Sequence, residues 1–218
     1  MIKDFAVIFD MDGVMVDSNP HHKIALEKFC RQHGHELNEQ QLLEKIYGRT
    51  NKDWLTNLFG KLEEKQLRAY AEEKEAIFRA LYEDDIVPLK GLRSFLDLLD
   101  HHQIPRAIAT SAPRANVDFT LSKTGLGRYF PIILDDSFVS RGKPDPEIYI
   151  KAAAALGLPN QNCIVLEDSL SGVLAGKRAG SKVVGVSTTH TAEEQSDTDL
   201  VIDDFEGLDP LSLIAMVK

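Results

Sequence analysis

Six short, nearly continuous apolar runs recur along the chain and constrain its fold more than any other feature. They predict strands at Phe5–Phe9, Ala107–Thr110, Ile132–Leu134, Cys163–Leu166, Lys182–Val186 and Leu200–Ile202. Strands that are apolar throughout are typical of parallel sheets covered on both faces. Helical patterns over 91–102, 113–124, 145–156, 170–179 and 210–217 separate or follow these strands. The alternation predicts an α/β fold with a doubly wound, Rossmann-like parallel sheet.

Residues 19–84 interrupt this alternation, because they contain no convincing strand. "SNPHHKIALEKFCRQHG" begins with capping residues and a proline, and three further helical segments follow it, the last from Glu63 to Tyr82. The sequence thus predicts an α/β core from 1–16 and 87–218, with an inserted α-helical cap domain over 17–86. Ligands of open α/β sheets bind beyond the carboxyl ends of strands. An insertion at such an end is placed to act as a lid.

Composition narrows the range of partners. The 218 residues carry a net charge of −9, which argues against a nucleic acid or an anionic membrane as partner. No apolar run approaches the length of a membrane span, and "MIKDFAVIFD" does not resemble a signal peptide. Cys30 and Cys163 lack metal-binding or redox spacing, which indicates buried free thiols. We therefore expect a cytoplasmic protein, acting as a monomer on a small molecule.

Polar side chains follow four of the predicted core elements. They are Asp10 and Asp12 in "FDMDGVMVDS", Ser111 in "IATSAPR", Lys143 in "GKPDPEIY", and Glu167 and Asp168 after "CIVL". Taken singly, each has an ordinary structural explanation as a turn, a cap or a solvated charge. Because the carboxyl ends of parallel strands meet at one edge of a sheet, together they predict a single site.

A phosphoryl ligand would give each of these groups a task. Asp10 and Asp168, with a backbone carbonyl, suit Mg²⁺, which prefers hard oxygen ligands. Lys143 would neutralise phosphoryl charge and keep Asp10 ionised. The Ser111 hydroxyl and the amide at Ala112, where a helix opens, would hold the transferring oxygens. Asp10 could attack phosphorus while Asp12 transfers protons.

These four motifs, the last being "VLEDSLSGVLAGKRAG", resemble those of the haloacid dehalogenase superfamily of phosphotransferases over nearly the whole chain. The chain is most similar to the helical-cap subfamily, which includes β-phosphoglucomutase and metabolite phosphatases. The resemblance implies that Asp10 forms an aspartyl-phosphate and that Asp12 is the general acid and base. It also implies that Ser111 and Lys143 bind the phosphoryl group. Mg²⁺ would be held by Asp10, the Asp12 carbonyl and Asp168, with Glu167 a further candidate. The dehalogenases lack the second aspartate, so Asp12 favours phosphoryl transfer.

The cap carries weaker candidates for substrate binding. His22 matches in position a cap histidine of β-phosphoglucomutase, or it is an exposed residue in a first helical turn. Lys74 lies near the centre of an apolar helical stripe, where it either reaches the edge or points at an anion. The surrounding stretch "EEKQLRAYAEEKE" is typical of a solvated helix face. Arg49 and Lys52 flank the position where the mutase has a phosphate-binding arginine.

Arg114 is either a further phosphate contact or a solvated arginine at a helix start, and Asp17 and Ser18 are predicted hinge residues. The leading hypothesis is a Mg²⁺-dependent phosphatase for a small phosphorylated metabolite such as a sugar phosphate. A phosphohexomutase of the β-phosphoglucomutase type is the alternative. A non-enzymatic phospho-accepting module is disfavoured by the chain length, by the cap, and by a nucleophile that lies within the first acid pair.

Overall fold

The computed structural model describes residues 5–46 and 51–217. The chain forms two compact units, one of Met1–Asp17 with Ile86–Lys218 and the other of Ser18–Asp85. Each junction lies one residue from the predicted limits of the cap.

The larger unit contains a six-stranded sheet in which every neighbouring pair is parallel. Its strands are β1 (Ala6–Phe9), β2 (Arg106–Ala109), β3 (Ile133–Leu134), β4 (Cys163–Glu167), β5 (Lys182–Val186) and β6 (Leu200–Ile202). The order across the sheet is β3-β2-β1-β4-β5-β6. The predicted parallel sheet is confirmed, and the strand limits agree to within one residue.

The smaller unit is helical in its described residues. It consists of α1 (Asn19–Gln32), α2 (Glu39–Lys45), α3 (Asn51–Phe59) and α4 (Glu64–Tyr82). Helix α1 has Pro20 in its first turn, where the missing N–H of proline would have no partner anyway. Phe29, Trp54 and Leu55 are among the residues that form the apolar core of this unit.

Helices cover both faces of the sheet. They are α5 (Leu92–His101), α6 (Arg114–Thr124), α7 (Glu147–Leu156) and α8 (Leu170–Ala179). Alternate residues of β1 point to opposite faces, as the two-residue period of a strand requires. Val7 and Phe9 join the apolar cluster that includes α5 and α6, and Ala6 and Ile8 join the cluster that includes α7 and α8. The predicted doubly wound architecture is therefore confirmed.

Two predicted helices differ in detail. Residues Pro210–Met216 form a 3₁₀ helix rather than an α-helix. This short segment begins with proline, and short pieces are the usual setting for 3₁₀ structure. Helix α6 begins at Arg114, with Pro113 as its N-cap. The proline ring disfavours helical geometry at Ala112, so Ala112 lies before the helix rather than in its opening turn.

The sheet has its topological switch point between β1 and β4, which are adjacent at its centre. The chain continues from β1 to β2 on one side, whereas β4 leads to β5 on the other. In open α/β sheets this is where ligands bind. Asp10 follows β1 directly, and Glu167 ends β4. Within the described ranges, no helix is long and apolar enough to cross a membrane, and both cysteines are buried free thiols.

Candidate active site

Three buried carboxylates lie together beyond the carboxyl ends of β1 and β4. Asp10, Glu167 and Asp168 each place a carboxylate oxygen within 4.8 Å of the other two. Their relative exposures are 6%, 0% and 4%. The backbone holds Asp10 in place, because its N–H donates to the Leu166 carbonyl at 3.0 Å and so continues the pairing of the two strands. The structure therefore brings together the predicted acids of two separate motifs.

Lys143 joins two of these acids. Its Nζ lies 2.7 Å from Oδ1 of Asp10 and 2.6 Å from Oε1 of Glu167. The lysine side chain is 7% exposed, so these are buried ion pairs that bulk water screens little. One ammonium against three carboxylates leaves two formal negative charges in the cluster.

Glu167 accepts four hydrogen bonds. Lys143 Nζ and Tyr149 Oη donate to Oε1, each at 2.6 Å, while the amide and hydroxyl of Ser169 donate to Oε2 at 3.0 and 3.1 Å. Gly172 leaves room for this carboxylate, because a Cβ there would lie 1.7 Å from Oε1. The glycine-rich start of α8 thus serves close packing against Glu167.

The three carboxylates differ in proton affinity. Burial raises the pKa of Asp10 well above its usual value, and the charges of Glu167 and Asp168 add to this effect. Lys143 lowers the pKa of Asp10, as expected, but the effect of burial is larger. Burial and the charge of Glu167 likewise raise the pKa of Asp168 to about 7.

For Glu167 and Lys143, hydrogen bonds and charged partners outweigh the effect of burial on the pKa. Burial would raise the pKa of Glu167, but the charge of Lys143 and the bonds from Lys143, Tyr149 and Ser169 outweigh it, so the pKa is lowered. Burial would lower the pKa of Lys143, yet its two carboxylate partners raise it above the usual value. Glu167 and Lys143 therefore form the ionised pair of the site.

A tight turn follows β1 and carries Asp12. Gly13 has a φ of 74°, a conformation that favours glycine, and its N–H donates to the Val16 carbonyl at 2.8 Å. Asp12 is half-buried and pairs through its backbone with Val16. Its charge is also among the smaller influences that raise the pKa of Asp168, after burial and Glu167. The turn thus keeps the second aspartate at the same edge of the sheet as the first.

The segment after β2 presents the predicted hydroxyl. Ser111 is exposed, and Ala112 next to it is buried. The Ala112 N–H already donates to Oγ1 of Thr110 at 3.1 Å. Arg114 forms an exposed ion pair with Asp118 on its own helix, at 2.8 Å. A ligand would therefore have to replace internal bonds at Ala112 and Arg114, whereas Ser111 faces solvent.

The helical unit contains a polar cluster of its own around the buried Lys74. Lys74 is 7% exposed, so it does not reach solvent at the edge of its helix. Its Nζ lies 2.9 Å from Nδ1 of His22 and 3.0 Å from Oε1 of Glu75. The His22 ring stacks on Phe78 with centroids 3.6 Å apart, so His22 is not the fully exposed residue of the alternative interpretation. Glu75 is 5% exposed and is therefore an exception within a stretch that is predicted to be mostly solvated.

The two remaining cap candidates are Lys52 and Arg49. Lys52 is exposed in α3, and Arg49 lies outside the described residues. The roles of both stay predictions.

Several side chains at the site were not among the predicted residues. Tyr149 lies in the lysine motif and donates to the Glu167 carboxylate. Thr188, Thr189 and Gln195 belong to the segment after β5, where Thr189 bonds to the Asp168 carboxylate. The strand-end rule that found Asp10 applies equally to "STT" after β5, and it would have pointed to the two threonines.

Comparison with known proteins places this geometry in a family. Residues 7–186 match the model of the haloacid dehalogenase-like hydrolase family. The phosphorylated carbohydrates phosphatase of Thermotoga maritima is 34% identical, over 83% of this chain and 84% of that protein. The β-phosphoglucomutase of Bacillus subtilis is 29% identical, over 83% of this chain and 82% of its own.

A solved structure agrees along nearly its full length. The haloacid dehalogenase hydrolase of family IA, variant 3, from Entamoeba histolytica superposes with a TM-score of 0.89 at 31% identity, covering 98% of this chain and 99% of that one. The resemblance inferred from the four motifs is confirmed, and so is the prediction of a phosphoric monoester hydrolase. The chain belongs to the haloacid dehalogenase-like hydrolase family.

Proposed function

We propose that this protein is a Mg²⁺-dependent phosphatase that hydrolyses a small phosphorylated metabolite through an aspartyl-phosphate, with sugar phosphates as the first class to test. The observation that carries the proposal is the buried cluster in which Lys143 bridges Asp10 and Glu167 beside Asp168. The relative from Thermotoga maritima, which is named for phosphorylated carbohydrates, supports the substrate class.

The donor set fits a divalent metal ion. Three carboxylates within 4.8 Å offer hard oxygen ligands, and their two uncompensated negative charges would be balanced by a divalent cation. Asp10, Asp168 and the Asp12 carbonyl would hold the ion. Glu167 remains a further candidate ligand, but its four hydrogen bonds favour a role as the anchor of Lys143. When bound, Mg²⁺ would neutralise the charge of the phosphoryl group and orient it.

In the first step, a carboxylate oxygen of Asp10 attacks phosphorus, and the bond from phosphorus to the leaving oxygen breaks. Asp12 gives its proton to that oxygen, so the product leaves as an alcohol and Asp10 carries the phosphoryl group. In the second step, water attacks phosphorus and gives a proton to Asp12. The bond to Asp10 breaks and inorganic phosphate is released, which restores both aspartates. Lys143 and Ser111 would hold the phosphoryl oxygens throughout.

The test is phosphate release from a panel of phosphorylated metabolites with Mg²⁺, using the wild type and Asp10→Asn. The amide of the variant is a poor nucleophile, so we expect loss of turnover with an unchanged circular dichroism spectrum. Asp17→Asn is the matched control, because Asp17 is an exposed acid of the same stretch and should keep wild-type activity. An active Asp10→Asn variant would refute the nucleophile assignment, and a wild type inactive on every substrate would refute the function.

A phosphohexomutase is the second candidate, favoured by the β-phosphoglucomutase relative and by the pairing of His22 with Lys74 in the cap. Incubation with β-glucose 1-phosphate and a trace of the 1,6-bisphosphate separates the two. A phosphatase releases inorganic phosphate in step with substrate loss. Formation of glucose 6-phosphate without matching phosphate would establish the mutase instead. The substrate-binding roles of His22, Lys52, Lys74 and Arg114 stay predictions, to be tested with the same substrates.

A further inference from the structure

The segment between β5 and β6 contacts the site from one side with three side chains. Thr188 Oγ1 donates to the Gly13 carbonyl at 2.5 Å, in the turn after β1. Thr189 Oγ1 donates to Oδ2 of Asp168. Gln195 Nε2 donates to the Asp168 carbonyl at 2.7 Å. Both the carboxylate and the backbone of Asp168 are therefore held by one segment.

Gln195 continues the pairing of β4 with β5 where the backbone ladder stops. The last paired residues are Glu167 and Gly185, so the next residues in register are Asp168 and Val186. Gln195 Nε2 donates to both of their carbonyls, at 2.7 and 3.1 Å. Its side chain therefore bridges the two strand ends at the residue that carries the Asp168 carboxylate.

The fold makes room for this amide. Gln195 is 0% exposed, and both hydrogen bonds of its buried amide are made by Nε2, whereas Oε1 has no hydrogen-bond partner among the described residues. A Cβ on Gly185 would lie 2.2 Å from Oε1 of Gln195, so the strand lacks a side chain where the amide packs. The identity of Gly185 and the position of Gln195 thus depend on each other.

We propose that Thr189 and Gln195 are positioning residues for metal binding by Asp168. The proposal rests on the proposed function, since Asp168 is a metal ligand only there. Hydrogen-bond partners of a metal ligand orient it before the ion arrives, and their loss typically weakens metal affinity. Thr189 fixes the direction of the carboxylate, and Gln195 fixes the backbone that carries it.

Isothermal titration of the metal-free protein with MgCl₂ tests the proposal directly, independent of turnover. Thr189→Val removes the hydroxyl but keeps the shape of the side chain, and Gln195→Met keeps its length but removes its donors. We expect each variant to raise the Mg²⁺ Kd by about 10-fold to 100-fold. At saturating Mg²⁺ the kcat should return close to the wild-type value, because the reacting groups themselves are intact.

Two controls separate positioning from general damage. Thr189→Ser retains the hydroxyl and should restore the wild-type Kd. Thr56→Val makes the same substitution in α3, where the hydroxyl donates only to the Lys52 carbonyl of its own helix, and should leave the Kd unchanged. Because Thr189 is exposed, its substitution should not disturb the core.

The outcomes distinguish failure of the positioning role from failure of the proposed function. If the wild type binds Mg²⁺ and both variants bind it within about twofold of the wild-type Kd, the positioning role is wrong and the proposed function stands. If Gln195→Met lowers the melting temperature but not the affinity, Gln195 is structural only and its part is overturned. A wild type that neither binds Mg²⁺ nor releases phosphate overturns both proposals.

Discussion

Replacing Lys143 with methionine should destabilise the metal-free protein strongly, because it removes the only cation bonded to the carboxylate cluster among the described residues. Oxygens 4.8 Å apart or closer repel by about 3.5 kcal/mol or more per ionised pair at an effective dielectric constant of about 20. Removing one partner of a buried ion pair typically costs about 3–5 kcal/mol. For a chain of this size, that loss corresponds to a fall of about 6–20 °C in Tm.

The stability lost in Lys143→Met should increase as the pH rises. Without the ammonium, the buried carboxylates hold protons more tightly in the folded state than in the unfolded chain. Stability therefore falls as pH rises through the raised pKa values of Asp10 and Asp168. The difference between Lys143→Met and the wild type should be largest near about pH 8 and smaller near about pH 5. Mg²⁺ should recover part of it by supplying positive charge to the same oxygens.

Urea unfolding followed by circular dichroism in EDTA, at both pH values, measures these free energies. Lys177→Met is a matched control, since Lys177 Nζ also lies 2.7 Å from a carboxylate oxygen, that of Asp199, but its side chain is 34% exposed. Exposed ion pairs contribute about 0–1 kcal/mol, so this variant should differ little from the wild type. A Lys143→Met variant within about 1 kcal/mol of the wild type at the higher pH would refute the reasoning.

Two further predictions concern the same cluster. Gly172→Ala should lower the free energy of unfolding in urea by about 1–3 kcal/mol, because its Cβ would overlap the Glu167 carboxylate. Gly127→Ala is the control, since a Cβ there would have its nearest neighbour at an ordinary 3.8 Å. Equal stability of the two variants would contradict the packing argument. The Mg²⁺ Kd should rise at least about tenfold from pH 8 to pH 6, because a proton competes for Asp168, whose pKa is about 7, and a second can compete for Asp10. Calorimetric titration at the two pH values checks this, and a Kd independent of pH would contradict it.

The positions of the catalytic candidates could be predicted because they depend on strand order alone. Asp10, Glu167 and Asp168 directly follow or end buried strands, and parallel strands bring their carboxyl ends to one edge. Lys143 was recognisable from its motif, although its two carboxylate partners lie 133 and 24 residues away. Local sequence patterns indicated which groups meet, but not their distances.

The remaining parts of the site depend on packing that no local pattern encodes. Gln195 lies in a polar stretch that is typical of a solvated loop. Its burial is explained by the register of β4 with β5 and by the absence of a side chain on Gly185. Helical periodicity predicts that Lys74 lies on an apolar stripe, yet its buried partner Glu75 lies in an acidic run that predicts a solvated face. The apolar pattern of residues 210–217 fits a 3₁₀ helix as well as an α-helix, so the sequence does not distinguish the two geometries.

The pKa shifts of the cluster would allow the proposed metal site to fold without a cation and still bind one. Glu167 stays ionised because Lys143, Tyr149 and Ser169 all donate to it. Burial raises the pKa values of Asp10 and Asp168, so protons can neutralise these two acids while the site lacks a metal. Binding of Mg²⁺ would release those protons, which leaves Asp10 as a carboxylate able to attack phosphorus. In the proposed mechanism, ionisation of Asp10 would therefore be coupled to metal binding, with Lys143 lowering the pKa of the same carboxyl.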